Sequence, residues 1–410
     1  MMKKATILFL GLGLILNTAC QREGCTDPLA NNYEKKADTD DGSCEYDPSV
    51  ISEELTDDIT TPTTLQAKNY KICTDIYVSS ELTLVPGTKL IMCEGSSITI
   101  ESSGYLNATG TAEKPIEIKG ETNTKGYWAG IAFKSNNPNN KLIHTTVSDG
   151  GTYWGWEYAT VYVSDNAQLT VENSAINNSD NFGLFVQDGG QLASFSTNSF
   201  GSNSTGLSLR ADQVSKLDGA TNYNNGNIFD YIEVRTGDIS VPQVWQATTT
   251  PLLVNSIDVE SSLELLPGTK ILMAASQSID VTSSGSIKSV GTAANPITIK
   301  GKEIAAGYWS GLKIESNSPN NKLAFTTISD GGDYWGYEYS NIYVNGRLDI
   351  ANCTIGNANS YGMYVNSGGL IFANGTAQTN AAAVESQNTF VGNGTGADAN
   401  CTNGCTVFFE

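Results

Sequence analysis

The stretch GYWAGIAFKSNNPNNKLIHTTVSDGG (126–151) returns later in the same chain as GYWSGLKIESNSPNNKLAFTTISDGG (307–332). Two shorter pairs precede it: LTLVPGTKLIM (82–92) with LELLPGTKILM (263–273), and GTAEKPIEIKG (110–120) with GTAANPITIKG (291–301). Self-similarity over such a length is typical of repeat architectures. We therefore divide the chain from residue 65 onward into two tandem copies of one long unit, 65–237 and 238–410.

Each copy is a series of short strands. Segments of alternating polarity such as SITIE, PIEIK, GIAFK, TVYVS, QLTVE and GLFVQ are separated by Gly, Asn, Asp and Ser, and no helical periodicity is sustained. In a solenoid coil, alternate residues point inward and stack on the same position of the next coil. A β-sandwich would give similar strands, but sandwiches rarely contain so long a duplication without a linker. The pattern predicts an all-β solenoid that runs as one continuous rod.

The repeated motifs also resemble a known family. The succession PGTxI, GxLxAxGTxxxPIxI, GYWxGI and NxLxxTTISDGG is similar to the right-handed parallel β-helix repeats of exported bacterial proteins, over about residues 65–410. The segment NNGNIFDYIEVRTGDISVPQVW (224–245) resembles the junction that leads into the next stretch of such a helix. This resemblance implies a right-handed parallel β-helix. The chemistry of the family is diverse, so the fold does not by itself assign a function.

The N-terminus has the features of an export signal. Lys3 and Lys4 precede the apolar run ATILFLGLGLIL, which is too short to span a membrane permanently. Small residues before Cys20 make residues 1–19 resemble a bacterial lipoprotein signal, which implies that Cys20 is lipidated and anchors the protein to the membrane. Asn17 departs from the usual Leu, so an ordinary secretory signal is the alternative. Both place the protein in an oxidising compartment.

We expect a location in the cell envelope, with a lipid anchor in the outer membrane. The residues after the anchor, Gln21, Arg22 and Glu23, mostly lack the acidic character expected of a lipoprotein that is exported to the surface. The periplasmic face and the exposed face of that membrane therefore both stay open.

A small acidic module, 20–46, precedes the repeats. Its segment GCTDPLANNYEKKADTDDGSCEY (24–46) resembles short segments that recur in exported proteins of the Bacteroidota. Its aspartates could gather a calcium ion, because hard oxygen ligands cluster at such spacing, although the pattern is not an EF-hand. The alternative is a solvated acidic loop, and we predict no other cofactor. The candidate calcium ligands are Asp38, Asp40 and Asp41, with Asp27 nearby. The acidic and Thr-rich residues 47–64 then read as a linker.

The cysteines suggest disulfides rather than a metal centre. If Cys20 carries lipid, the spacing of the others favours the pairs Cys25–Cys44, Cys73–Cys93 and Cys401–Cys405. The second pair lies about one coil apart and could link adjacent coils. Cys353 is then left over in an apolar segment, as a buried free thiol. No pair has the CxxC spacing of a zinc site.

Charge and histidine content exclude several classes of function. The net charge of −20 argues against nucleic acid as a partner and disfavours acidic polysaccharides. A neutral glycan or a surface protein remains compatible. The chain has a single histidine, His144, and the second copy has Phe325 at that position. A position that accepts Phe is a packing position, so Ser/His/Asp and Cys/His schemes are disfavoured.

Polysaccharide cleavage is the enzymatic alternative. The chain lacks the Gly-His-Gly and Arg-Ile-Lys elements of polygalacturonases, and the basic residues that a pectate lyase needs are few and scattered. A glycosidase mechanism with two carboxylates remains open. Its candidate pairs are Asp149 with Glu157, and Asp330 with Glu338.

The segments SDGGTYWGWEY (148–158) and SDGGDYWGYEY (329–339) form the candidate binding site. Flat aromatic faces beside carboxylates suit sugar rings. Two equivalent sites along a rod would give avidity for a repeating polymer. The structural alternative is that the aromatic rings stack between coils and the aspartates bond to turn amides. The candidate ligand-binding residues are Trp154, Trp156, Tyr158, Asp149 and Glu157 in the first copy, and Trp335, Tyr337, Tyr339, Asp330 and Glu338 in the second.

Three functions are therefore carried forward. The first is binding or adhesion at the cell surface, to a glycan or a surface partner. The alternatives are a polysaccharide-degrading enzyme and a structural spacer without ligand.

Overall fold

The structure is a computed structural model, and it describes residues 22–28, 30–44, 53–399, 401 and 405–410. Long parallel sheets run the length of the repeat region, and successive strands of the chain pass from one sheet to the next before the first sheet is reached again. This is the predicted parallel β-helix fold, which is confirmed.

One sheet of 13 strands, here the common sheet, passes through both copies. It consists of Ile76–Val78, Ser97–Ile100, Gly130–Phe133, Val161–Val163, Phe182–Val186, Thr205–Arg210, Ile232–Arg235, Leu252–Val254, Lys270–Met273, Ile297–Gly301, Thr326–Ser329, Thr354–Gly356 and Thr389–Val391.

Two further sheets belong to the first copy. Sheet 1a contains Thr63–Leu65, Glu81–Leu84, Tyr105–Thr109, Lys141–Ile143, Gln168–Glu172 and Gln191–Ser196. Sheet 1b contains Glu53–Glu54, Asn69–Ile72, Lys89–Met92, Ile116–Gly120, Thr145–Ser148, Ala175–Asn177, Ser199–Gly201 and Asn222–Asn225. The chain passes through each coil in the order 1a, 1b, common.

The second copy has its own pair of sheets. Sheet 2a contains Gln243–Trp245, Ser262–Leu265, Ser286–Val290, Lys322–Ala324, Arg347–Ala351, Leu370–Ala373 and, antiparallel at its end, Thr376–Gln378. Sheet 2b contains Gly237–Ile239, Ile257–Val259, Ser278–Val281, Gly311–Ile314, Ile342–Val344, Met363–Val365 and Val407–Phe409. Here the order in each coil is 2a, common, 2b.

Inward-facing residues form ladders from coil to coil, as the alternation predicts. In sheet 1a the register aligns Leu84, Ala108, Leu142, Val171 and Phe195, and all five are buried. A coil is only one strand thick, so each apolar residue is covered by its counterparts in the coils above and below. The core is therefore one continuous apolar column.

Little helix is present among the described residues. Short 3₁₀ helices occupy Trp154–Trp156, Ala211–Lys216 and Trp335–Tyr337, and one α-helix, Ala381–Glu385, lies near the C-terminal end of the rod. The Asn380 side chain accepts a hydrogen bond from Ala383 N–H, which caps this last helix at its start. None of the helices described is long and apolar enough to cross a membrane.

The β-helix begins earlier than predicted. Residues 53–64, assigned above to the linker, already form the first coil, because Glu53–Glu54 pairs with Asn69–Ile72. Ile59 is buried and forms a parallel bridge with Val78. Acidic and Thr-rich composition therefore misled the boundary, since a first coil has only one neighbour to cover it and exposes more of its surface.

All three predicted disulfides are present: Cys25–Cys44, Cys73–Cys93 and Cys401–Cys405. Ile72 and Met92 are register neighbours in sheet 1b, so the bond that follows them joins adjacent coils, as expected. Cys353 is a buried free thiol. Burial raises its pKa to about 12, which keeps the thiol protonated and unreactive.

Candidate functional site

Each repeated aromatic segment forms a loop at a corner of the coil. In the first copy the chain leaves Thr145–Ser148 of sheet 1b and enters Val161–Val163 of the common sheet. A glycine makes the turn possible: Gly151 has φ +102° and Gly332 has φ +98°. A Cβ on either would lie 2.5 or 2.3 Å from the carbonyl oxygen of Tyr158 or Tyr339. Only glycine fits such an approach.

Asp149 and Asp330 are buried parts of this turn. The Asp149 carboxylate accepts hydrogen bonds from Gly120 N–H at 3.2 Å, the Ser148 hydroxyl at 2.8 Å and the Asn178 amide at 2.7 Å. Asp330 accepts from the Ser329 hydroxyl at 2.8 Å and the Asn357 amide at 2.7 Å.

This placement argues against a direct role of either aspartate in catalysis or ligand contact at the aromatic loop. Their exposed fractions are 3% and 2%, and their oxygens are occupied by the protein. The glycosidase pairs Asp149 with Glu157 and Asp330 with Glu338 therefore each contain one carboxylate that is hydrogen-bonded within the protein. The structural alternative, aspartates bonded to turn groups, describes these two residues.

The predicted aromatic residues divide into an inner and an outer set. Trp156 is buried and stacks on Tyr162 at a centroid distance of 6.4 Å, and Tyr162 stacks on Phe185 at 5.9 Å. In the second copy the buried Tyr337 stacks on Tyr343 at 6.0 Å. These inner rings fasten the loop to the outer face of a sheet, and they have little surface left for a ligand.

Trp154 and Trp335 form the outer set. Their exposed fractions are 70% and 69%, so each indole projects almost entirely into solvent. Each occupies the first position of a 3₁₀ helix with the same backbone in both copies. An exposed Trp leaves a large apolar area in contact with water, and both copies have an exposed Trp at this position.

The ring before each exposed Trp was not in the predicted ligand set. Tyr153 packs edge-on against Trp156 at 5.1 Å, and Tyr334 packs in the same way against Tyr337 at 5.0 Å. Both are 42% exposed and lie beside the exposed indole. The sequence feature that could have identified this tyrosine is the glycine between the two aromatic positions, Gly155 in the first copy. A Cβ on Gly155 would lie 2.6 Å from the Tyr153 ring, so this tyrosine must cover a residue without a side chain.

The end of each loop has an unusual backbone. Glu157 and Tyr158 have φ values of +54° and +55°, and Glu338 and Tyr339 have +51° and +52°. Two successive non-glycine residues in the left-handed region cost of order 1–3 kcal/mol each. Glu157 and Tyr158 are exposed, whereas Glu338 and Tyr339 are half-buried. The Glu157 N–H donates to the Trp154 carbonyl at 3.1 Å and the Tyr158 N–H donates to the Tyr153 carbonyl at 3.2 Å, so both residues close the turn that carries the exposed indole.

The two loops have different supports. In the first copy the sheet position next to Tyr162 is Ala132, whereas in the second copy the position next to Tyr343 is Lys313. The Tyr337 hydroxyl donates a 2.5 Å hydrogen bond to Asp280, and the Lys313 ammonium lies 5.7 Å from the Tyr337 ring centroid. Burial raises the pKa of Asp280. Tyr337, which stands where the first copy has Trp156, therefore has polar partners beneath its ring.

A groove lies beside the second loop but does not contain the exposed indole. It has a volume of about 750 Å³ and is lined by Thr327, Thr354, Asn357, Thr395 and the apolar Ile304, with Asp330 in its wall. Trp335, Tyr337 and Tyr339 are not among its lining residues. The exposed Trp335 consequently lies on an open surface rather than in the wall of this groove.

His144 behaves as the comparison of the copies predicts. It has φ +46°, and Phe325 has φ +47° at the same corner of the second copy. Both side chains are half-buried. A phenylalanine in the same backbone conformation cannot transfer protons, so the second copy has no proton-transferring side chain at this corner.

The aspartates of the small module bond to turn amides. Asp40 accepts from Gly42 N–H at 3.1 Å, and Asp41 accepts from Ser43 N–H at 2.9 Å. Hydrogen bonds from the Ser43 side chain and from the Ser43 N–H lower the pKa of Asp41. Within the residues that the structure describes, no group of three or more His, Cys, Asp or Glu side chains is arranged to hold a metal ion. The calcium site predicted at Asp38, Asp40 and Asp41 thus gains no support.

The module also touches the rod. The Lys68 ammonium lies 3.9 Å from an Asp27 oxygen, and the Lys114 ammonium donates to the Gly42 carbonyl at 3.4 Å. The predicted lipidation site, Cys20, and the apolar run before it lie outside the described residues.

Comparisons with known proteins add no relative: a scan against protein-family models and searches of curated proteins and of solved structures found no match to this chain.

Proposed function

We propose that this protein binds a neutral glycan at the bacterial cell envelope through the outer aromatic residues of its two corner loops. The observation that carries the proposal is the exposure of Trp154 and Trp335, at 70% and 69%, on the same 3₁₀ helix in both copies. A rigid indole that projects into water offers a flat apolar face on which a sugar ring stacks.

The neighbouring residues suit hydroxyl-rich ligands. Tyr153 is exposed with its ring centroid 6.0 Å from that of Trp154, and Glu157 and Tyr158 are exposed at the end of the same loop. Phenolic hydroxyls and a carboxylate can bond to sugar hydroxyls. The net charge of −20 makes a neutral polymer a better ligand than a uronate or a nucleic acid.

The backbone of each loop is constrained around the exposed Trp. Glycine turns, buried aspartates and two successive left-handed residues constrain the backbone of the loop that carries the solvent-exposed Trp. Strain of this kind persists only where the surroundings enforce it. Preorganisation lowers the entropic cost of binding, because the loop does not have to order around the ligand.

The lipoprotein-type N-terminus belongs to the same proposal. A lipid on Cys20 would hold the rod at the outer membrane, with the small module between the membrane and the first coil. Adhesion to a surface polymer would then need no further anchor.

The test is a binding panel of immobilised neutral polysaccharides: glucomannan, mixed-linkage glucan, xyloglucan, mannan and dextran, with polygalacturonate as the anionic comparison. The wild type is compared with a Trp154→Ala/Trp335→Ala double variant. A Tyr77→Ala variant serves as the matched control, because Tyr77 is also exposed, at 45%, but belongs to neither loop: its strand, Ile76–Val78, lies three strand steps along the common sheet from Val161–Val163.

We expect the wild type and the control to bind at least one neutral polymer and the double variant to bind it at least about tenfold more weakly, as for an exposed aromatic anchor. Equal binding by the double variant would refute the proposed site. Release of shortened products from a bound polymer would favour the enzyme alternative. A wild type that binds none of these ligands would leave the spacer function.

A further inference from the structure

The two copies do not repeat in the same orientation around the rod. KLIM (89–92) and KILM (270–273) are equivalent positions of the repeat unit, but the first lies in sheet 1b and the second in the common sheet. Likewise SITI (97–100) lies in the common sheet, whereas SIDV (278–281) lies in sheet 2b. Each element of the second copy has therefore moved one face around the rod.

The junction between the copies explains this rotation. In the first copy the common sheet is followed by sheet 1a, and at the junction the 3₁₀ helix Ala211–Lys216 takes the place of the next strand of that sheet. Leu192 N–H of sheet 1a donates to the Gln213 side chain in this helix at 3.1 Å. One coil later, only Thr236 separates Ile232–Arg235 from Gly237–Ile239, which starts sheet 2b.

The loops consequently rest on different faces. The inner ring of the first loop, Trp156, stacks on Tyr162 and so covers the outer face of the common sheet. The inner ring of the second loop, Tyr337, stacks on Tyr343 of sheet 2b, the next face around the rod. Trp154 and Trp335 therefore project from neighbouring faces and not along one line.

Their separation along the rod is also large. In the common sheet, Val161–Val163 follows the first loop and Thr326–Ser329 precedes the second loop. Six strands lie between these two strands. Seven steps of about 4.8 Å between paired strands amount to about 34 Å along the axis. A straight polysaccharide chain on one face passes only one of the two indoles, because the other lies around an edge of the rod.

From this geometry we infer that a single molecule of this protein bridges two separate glycan chains, one on each face, instead of binding one chain at two points. The inference rests on the proposed glycan binding. It replaces the expectation of avidity along one polymer, which assumed that duplicated loops point the same way.

The test uses latex beads coated with glucomannan or, in parallel, with each other neutral polymer of the panel. Bead-bound protein and bead agglutination are measured separately. The wild type and Tyr77→Ala should bind and agglutinate. Trp154→Ala and Trp335→Ala each keep one site. We expect the affinity of that site to lie within roughly threefold of the affinity of one wild-type site, and we expect neither variant to agglutinate the beads.

The single variants also exclude agglutination by a dimer, because a dimer of single-site molecules would still carry two sites. Agglutination by either single variant would therefore overturn the inference. So would a wild type that binds without agglutination while each single variant loses more than about tenfold in affinity, since that is the behaviour of one chain held at both sites. Absence of wild-type binding to every coating would overturn both this inference and the proposed function.

Discussion

At the scale of single residues, the tryptophans of each copy fall into two kinds that the sequence does not distinguish. Trp128 and Trp309 are fully buried, and each indole N–H donates a 2.7 Å hydrogen bond to the carbonyl of Ser148 or Ser329. Trp154 and Trp335 lie in water. Whether a Trp side chain is buried or exposed depends on the backbone conformation of its corner. Composition alone therefore does not predict which of these tryptophans are buried.

Stability should separate these two kinds. We expect Trp128→Ala and Trp309→Ala each to lower the free energy of unfolding by about 3–5 kcal/mol, the cost of emptying a large aromatic site. Trp154→Ala and Trp335→Ala should each change it by no more than about 0.5 kcal/mol. Chemical denaturation followed by circular dichroism measures both. A large loss for the exposed pair would mean that these indoles are packed.

A second residue-scale prediction concerns Asp280. Burial raises its pKa above the ordinary value, despite the hydrogen bond from Tyr337. The folded protein then holds this proton more tightly than the unfolded chain, so the stabilisation is complete below the ordinary Asp pKa of about 3.9 and is lost as pH rises through the folded value.

An Asp280→Asn variant removes this dependence, because the amide oxygen still accepts from Tyr337 but does not ionise. We expect the melting temperature of the variant minus that of the wild type to increase as pH is raised from about 3 through the folded pKa. Thermal melts across this range check the sign. A difference that stays flat, or that decreases with pH, would contradict the assignment.

At the scale of the corner loop, the question is what the buried aspartates do. Asp149 accepts three hydrogen bonds that connect the turn to Gly120 of the preceding coil and Asn178 of the following one. An Asp149→Asn variant replaces an acceptor by an N–H₂ donor that faces donors. We expect it to lower the free energy of unfolding by about 1–3 kcal/mol.

The matched variant, Asp330→Asn, should behave in the same way, because Ser329 and Asn357 donate to that carboxylate. Glu157→Gln is the control, since Glu157 is exposed and its loss should leave the unfolding curve almost unchanged. If Asp149→Asn abolished an activity without any loss of stability, the aspartate would be catalytic after all.

The loop also shows how much of the site the sequence could predict. The duplicated SDGG corner and the aromatic run located the site correctly in the chain, because glycine and aspartate mark turns for known reasons. The choice between Trp154 outside and Trp156 inside could not be made, since a 3₁₀ helix turns side chains by a third of a circle per residue. The role of Tyr153 depended on contact with Gly155, which only the folded loop provides.

At the scale of the whole molecule, the solenoid was predictable and its orientation was not. Strand alternation and the duplication predicted an all-β solenoid, the resemblance to β-helix repeats implied parallel sheets, and the cysteine spacing predicted the disulfides; the parallel sheets and Cys73–Cys93 confirm these predictions. The same duplication suggested two equivalent sites that could bind one polymer along the rod. It was misleading because the rotation is set at the junction, by the helix Ala211–Lys216 and the single residue Thr236, and not by the repeated unit itself.

The central claim is that the molecule has two independent glycan sites, each centred on one exposed indole. The most direct measurement is a calorimetric titration with a trisaccharide cut from the polymer that binds in the panel, because three sugar residues are much shorter than the roughly 34 Å between the loops. We predict two ligands bound per wild-type chain, one for Trp154→Ala or Trp335→Ala, and none for the double variant. A double variant that still binds two ligands with unchanged affinity would contradict the account.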